Sequence, residues 1–250
     1  MSNQQTVVLL DGGMGQELIK RSANAPTPLW SATVMRDEPD LVTTVHADYI
    51  QADARVITLN NYSATPVRLA KHGLSTAFSE LHQAAITAAQ RAIAQTNPMH
   101  PVAVAGCLPP LVSSYHAEDV PSEAACLADY RALVAAQKDG VNLFLCETLT
   151  TVREVQTAAT AGKESGHPVW VGMTVDDQDG TRLRSGESLA DGVAAAKACG
   201  AAAVLINCSW PEAITQGLPI LAASGLPFGG YANGFTNAAS LAAGSTVAGL

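Results

Sequence analysis

Two of the most apolar runs in this sequence end on groups that can do chemistry. Cys208 closes Ala203-Val204-Leu205-Ile206-Asn207-Cys208, and Glu147 closes Leu143-Phe144-Leu145-Cys146-Glu147. A thiol at the polar tip of an apolar strand serves as a buried spectator, a nucleophile or a metal ligand. A carboxylate in that position needs a partner, because unpaired charge is expensive beside a core. Glu147 therefore suits gripping a substrate ammonium or acting as a base. A third tip is Leu9-Leu10-Asp11, followed by Gly12-Gly13-Met14-Gly15. Glycines at 12 and 13 let the backbone approach a ligand closely, and their amides can receive a carboxylate, although the same residues also make a plain tight turn. Asp11 orients this loop, caps a helix or holds a cationic group. Asn60, Asn207 and Asn233 stand at further tips, where they tie neighbouring loops together or contact ligand.

Metal chemistry is constrained by arithmetic. The six histidines (His46, His72, His82, His100, His116 and His167) form no HxH or HExxH pattern. Only His116 falls near a strand tip, and it reads as an exposed loop residue. No cysteine or histidine follows Cys208, so an ion held there would be short of ligands. Cys107 and Cys146 read as small buried hydrophobes, and Cys126 and Cys199 as inert helix residues. Residues 176–180, Asp-Asp-Gln-Asp-Gly, resemble the start of a calcium loop but lack its downstream glutamate. They read as a solvated turn.

These tips need elements to hold them. Near-continuous apolar runs at 6–11, 55–60, 102–107, 142–147, 168–175, 202–208 and 227–231 predict strands buried on both faces, as in a parallel sheet. Ala-rich amphipathic stretches at 40–54, 76–95, 122–139, 151–165, 188–199 and 211–223 predict the helices between them. Seven such units without repeats or linkers favour one domain over 1–250, an α/β barrel of the (β/α)8 type. A doubly wound sheet is disfavoured because no GxGxxG follows the first strand. Only 17 residues follow Asn233, so the barrel is expected to lack its eighth strand and closing helix.

Composition excludes several classes. The formal net charge of −8 opposes nucleic acid or an anionic membrane as the main partner and says little positive about small molecules. No apolar stretch reaches the roughly 18 residues of a membrane helix. Five dispersed cysteines without a CxxC pair, and an N-terminus lacking a signal-peptide pattern, make a reducing, cytoplasmic setting the expectation.

The ordered tips resemble the homocysteine S-methyltransferase family. The matching pieces are Leu10-Asp11-Gly12-Gly13-Met14-Gly15-Gln16-Glu17-Leu18, Asn60-Asn61-Tyr62-Ser63, Glu147-Thr148, Gly186-Glu187-Ser188-Leu189 and Ile206-Asn207-Cys208. The resemblance implies a barrel that transfers a methyl group to the thiol of homocysteine, giving methionine, with Zn2+ held by three cysteine thiolates. Cys208 matches the first ligand; the other two, an adjacent cysteine pair at the eighth strand, have no counterpart in this sequence. Backbone at Gly12 and Gly13 would receive the substrate carboxylate and Glu147 its ammonium, while Asp11 and Asn207 would shape the site. Two other readings stay open: a non-catalytic amino acid-binding relative, and an unrelated barrel lyase with Glu147 as base.

Overall fold

The computed structural model describes residues 7–24 and 29–234. Its helices and strands alternate from the second strand onward: α1 (Met14–Arg21), α2 (Trp30–Asp37), α3 (Pro39–Gln51), β1 (Val56–Thr58), α4 (Pro66–Lys71), α5 (Phe78–Thr96), β2 (Ala103–Leu108), α6 (Glu123–Gln137), β3 (Leu143–Leu149), α7 (Val152–Glu164), β4 (Val169–Met173), α8 (Leu189–Ala198), β5 (Ala203–Asn207), α9 (Pro211–Ala223) and β6 (Phe228–Tyr231). Local signals set several boundaries. Thr151 and Glu154 form a reciprocal capping box at α7, Ser188 accepts from Asp191 N at α8, and Pro211 opens α9, where its missing N–H costs nothing.

All six strands are parallel and lie in the order β1-β2-β3-β4-β5-β6. A doubly wound sheet would reverse this order at a switch point. Here each crossover steps the same way, so same-handed connections keep the helices on one face and the sheet curls away from them. The extent of the curl is visible in one contact. Tyr231 on β6 donates its hydroxyl to Glu147 Oε2 on β3 at 3.2 Å, although three strand spacings on a flat sheet would separate them by about 14 Å.

Side chains divide by parity. Leu143, Leu145 and Glu147 continue one row toward the concave side, where Leu143 and Leu145 pack with Val56, Ala105 and Leu205. Phe144 and Cys146 point outward into the larger core beneath the helices, with Leu133, Val155 and Val171. This split is what brings strand-tip residues of the inner row to one mouth.

The predicted strand at 6–11 is reduced to a bridge between Leu10 and Val56, flanked by hydrogen bonds from Arg55 N to Leu9 O (2.8 Å) and from Asp11 N to Val56 O (2.9 Å); position 6 lies outside the described residues. Short helices α1, α2 and α4 were not legible, because six to eight residues carry too little periodicity. Among the described residues no strand pairs with the outer edge of β6; positions 235–250 lie outside the description. No helix among the described residues is long and apolar enough to cross a membrane.

Arg68 ties the loops that follow β1 and β2. Its guanidinium donates to Val112 O (2.9 Å), Pro110 O (2.9 Å) and Tyr62 O (3.2 Å), and lies 5.2 Å from the Tyr62 ring centroid. Arg68→Ala is expected to lower the unfolding free energy by about 3 kcal/mol, since it strands three part-buried carbonyls at once. Urea denaturation checks this; a loss below about 0.5 kcal/mol would mean that water replaces the guanidinium freely.

Candidate active site

The mouth of the curled sheet gathers Asp11, Glu147, Asn207, Cys208 and Tyr231 from four strand tips. Asp11 follows the Leu10 bridge and is fixed by β1: Thr58 N donates to Oδ2 at 2.6 Å and Thr58 Oγ1 to Oδ1 at 3.2 Å. Burial pushes its carboxyl up to about 7; Thr58 opposes the shift and the charge of Glu147 adds to it. Gly12 follows immediately. A Cβ there would lie 2.9 Å from Cε1 of Tyr49, so the absent side chain is what lets the loop lie against that ring. Gly13 is the N-cap of α1, whose first amide groups have no partners within the helix.

Glu147 lies at the centre. The Cys107 thiol donates to Oε1 at 2.8 Å and the Tyr231 hydroxyl to Oε2 at 3.2 Å. Burial raises its pKa, and both donors hold it down. Cys107 is buried, as the sequence suggested, and it also makes a polar contact. Its position on the inner row of β2 makes it a partner of the central carboxylate.

Backbone strain concentrates beside it. Thr148, Cys208 and Tyr115 adopt left-handed backbone, with φ of 63°, 53° and 69°. Such conformations cost on the order of 1–3 kcal/mol each for residues bearing a Cβ. At Thr148 the β3–β4 register slips between Cys146 and Leu149, a bulge that re-aims the strand end. Asn207 holds the bulge with both ends of its amide: Thr148 N donates to Oδ1 at 2.9 Å and Nδ2 donates to Thr148 Oγ1 at 3.0 Å. The amide fits because residue 172 is glycine; a Cβ there would lie 3.1 Å from Asn207 Oδ1. Asn207 is fully buried, so it shapes the site from beneath.

Cys208 Sγ accepts from Thr148 Oγ1 and from Asn207 Nδ2, both at 3.3 Å. Burial pushes its thiol up to about 11. Among the described residues no group of three His, Cys, Asp or Glu side chains could hold a metal ion. The remaining positions, 1–6, 25–28 and 235–250, contain none of these four residue types. A catalytic zinc takes three protein ligands, so the residues of this chain do not by themselves fit the Zn2+ site that Cys208 would begin.

Other expectations divide. The backbone N–H of Asn233 donates to Ser209 O at 3.0 Å, joining the loops after β5 and β6. His116 is a loop residue paired with Glu118 at 2.7 Å. The turn at 176–180 is not wholly solvated: Asp177 forms an ion pair with Arg184 at 3.0 Å, each side chain only 14% exposed. Tyr115 and Arg184 had not been singled out, and Thr148 and Tyr231 stood at strand tips without an assigned role. Tyr231, as a polar residue closing the last predicted strand, was the most readable of them.

Known proteins share this arrangement of elements. The homocysteine S-methyltransferase of Escherichia coli (strain K12) is 33% identical over 235 residues, covering 86% of this chain and 74% of that protein. Homocysteine S-methyltransferase 3 of Zea mays is 29% identical over 228 residues, covering 83% and 67%. Among solved structures, the metallated form of the homocysteine methyltransferase MmuM from Escherichia coli superposes with a TM-score of 0.78 at 28% identity, over 94% of each chain. The family described as homocysteine S-methyltransferase matches residues 8–246. With its sheet and nearly its whole length in agreement, the chain belongs to the homocysteine S-methyltransferase family and to that class of enzyme.

Proposed function

We propose that this chain, acting as a single barrel unit, binds homocysteine at the Asp11–Glu147 mouth and directs its thiol toward Cys208 for methylation, giving methionine. The observation that carries the reading is the pair of acidic side chains from separate strand tips, close enough for the charge of Glu147 to raise Asp11. Two part-buried carboxyls that form no ion pair among the described residues suit a ligand that brings a cation, and the ammonium of an amino acid does so. The free amides at Gly13 and the start of α1 would take its carboxylate. Held at both charged groups, the substrate has its side chain oriented, which is the positioning a methyl transfer requires.

The metallated form of the Escherichia coli relative carries a metal. Among the described residues of this chain Cys208 has no second and third ligand beside it, where a catalytic zinc takes about three. The purified chain is expected to retain well below one zinc per molecule by elemental analysis. A tightly held equivalent of zinc, lost in Cys208→Ser, would overturn that expectation.

The function is tested by calorimetry with homocysteine, followed by mass-spectrometric detection of methionine with S-methylmethionine or betaine as donor and zinc supplied. Binding with methionine formed supports the proposal. Binding without turnover favours the non-catalytic amino acid-binding reading, and absence of binding removes both. Cys107→Val is expected to weaken homocysteine binding about tenfold by removing one donor from Glu147, whereas Cys107→Ser should bind nearly as the parent does.

A further inference from the structure

Arg184 stands behind Cys208, and neither the binding of the amino acid nor the stability of the fold accounts for its surroundings. Its Nε donates to Thr174 Oγ1 at 2.9 Å. Its Nη2 reaches both Asp177 Oδ2 at 3.0 Å and the carbonyl of Cys208 at 3.3 Å. Thr174 Oγ1 donates to that same carbonyl at 3.1 Å. The other oxygen of Asp177 accepts from Trp210 N at 2.9 Å, two residues beyond the thiol. On the other side, the guanidinium carbon lies 4.8 Å from the ring centroid of Tyr115, itself in left-handed backbone.

A part-buried ion pair of this kind is weak evidence for stability, because desolvation offsets the attraction between the charges. Its geometric effect is clearer. Cys208 carries a Cβ at φ 53°, a conformation that persists only where the surroundings over-determine it. The Arg184–Asp177 pair fixes the chain on the carbonyl side of Cys208, while Tyr231 O accepts from its amide at 3.1 Å. The planar fork of arginine matters here: one side chain reaches a hydroxyl, a carboxylate and a carbonyl in fixed relative directions, which the single ammonium of lysine cannot reproduce.

We propose that Arg184, braced by Asp177, is a positioning residue that holds Cys208 in its left-handed conformation and so fixes the direction of its thiol into the mouth. The proposal rests on the reading of Cys208 as the reacting end of the site. It assigns Arg184 no contact with homocysteine, whose charged groups lie at Asp11, Glu147 and the α1 amides.

The test is competitive alkylation of the native chain with iodoacetamide, with peptides quantified by mass spectrometry. Cys199, half-buried on the far side beside Thr160 and Gln156, serves as the internal reference. Arg184→Met is expected to change the Cys208:Cys199 labelling ratio on the order of tenfold by releasing the local backbone, with Arg184→Lys intermediate. An unchanged ratio in both overturns the proposal. Should Arg184→Met fail to fold, Arg184→Lys and Asp177→Asn give the same comparison. In the methyl-transfer assay, Arg184→Lys should lower kcat by up to about 100-fold, the effect of an ångström-scale misplacement, with KM for homocysteine within about twofold. A rise in KM at constant kcat would make Arg184 a binding residue and overturn the positioning role. If the parent chain forms no methionine, the proposed function fails while the labelling ratio still decides the clamp.

Discussion

Glu147→Gln is expected to raise KM for homocysteine by more than about 30-fold, since truncating one member of a buried charge pair costs about 2–5 kcal/mol. The amide is nearly the shape of the carboxylate, so the change removes charge and one acceptor. Cys107 and Tyr231 both donate to Glu147. In the variant one of them faces an NH2 group, and the incoming ammonium loses its anion. Thermal stability should not fall in parallel, because the native carboxylate already bears a desolvation penalty that raises its pKa. A drop in melting temperature with unchanged KM would make Glu147 structural and sink the binding role.

The same site carries a pH signature whose sign follows from Asp11. Its folded pKa is raised to about 7, while an ammonium ligand prefers the carboxylate. Binding must therefore release a proton when Asp11 begins protonated, and affinity should rise as pH increases through 7. Between pH 6 and 8 the gain is about tenfold, the change in the ionised fraction across such a pKa. Calorimetry in buffers of differing ionisation enthalpy should register the proton release, and Asp11→Asn should abolish both effects.

His46→Leu is expected to stabilise the fold. His46 is fully buried on α3, which packs against α1, α2 and α5, and neither ring nitrogen has a hydrogen-bond partner. A buried polar atom left unsatisfied costs about 1–3 kcal/mol, and leucine removes it at similar volume. Burial also lowers the His46 pKa to about 4 from an ordinary 6.5. The folded state thus favours the neutral ring, and the unfolded chain binds more protons as pH falls below 6.5. The native protein loses stability through this group between pH 6.5 and 4. At pH 5 the advantage of the leucine variant should have grown by about 2 kcal/mol. Urea titrations of both proteins at pH 7 and pH 5 measure it; a gap that does not widen on acidification would mean that His46 is not held neutral.

The barrel was legible because its strands are apolar throughout. A run such as Leu143–Glu147 has to be covered on both faces, and that requirement fixes the class of sheet before any contact is known. Cys208, Glu147 and Asp11 were legible for the same reason, each being a polar residue interrupting an apolar run. Arg184 and Tyr115 were not, because they stand in loops where polar residues are the rule. Cys107 is buried as expected, but its bond to Glu147, 40 residues away, was not legible, because only the parity of the curled sheet brings the two together. Asn207 shows a further limit. Its position at a tip was readable, but its hydrogen bonds to the strained Thr148 were hidden by the bulge in β3.

The curl brings together side chains from strands that are not neighbours. Asp11 hangs from the outermost bridge at Leu10, Glu147 from the middle of the sheet, and Tyr231 from the opposite edge. An amino acid held between the first two spans the edge and the centre as a removable crosslink. Edge segments are the first to open by local fluctuation, so such a crosslink protects the margin at residues 9–11 well before it affects the centre. Substrate would thus act as a structural part of the sheet, and amide exchange at Leu9 and Leu10, next to the Asp11 that would meet the ligand, would report occupancy.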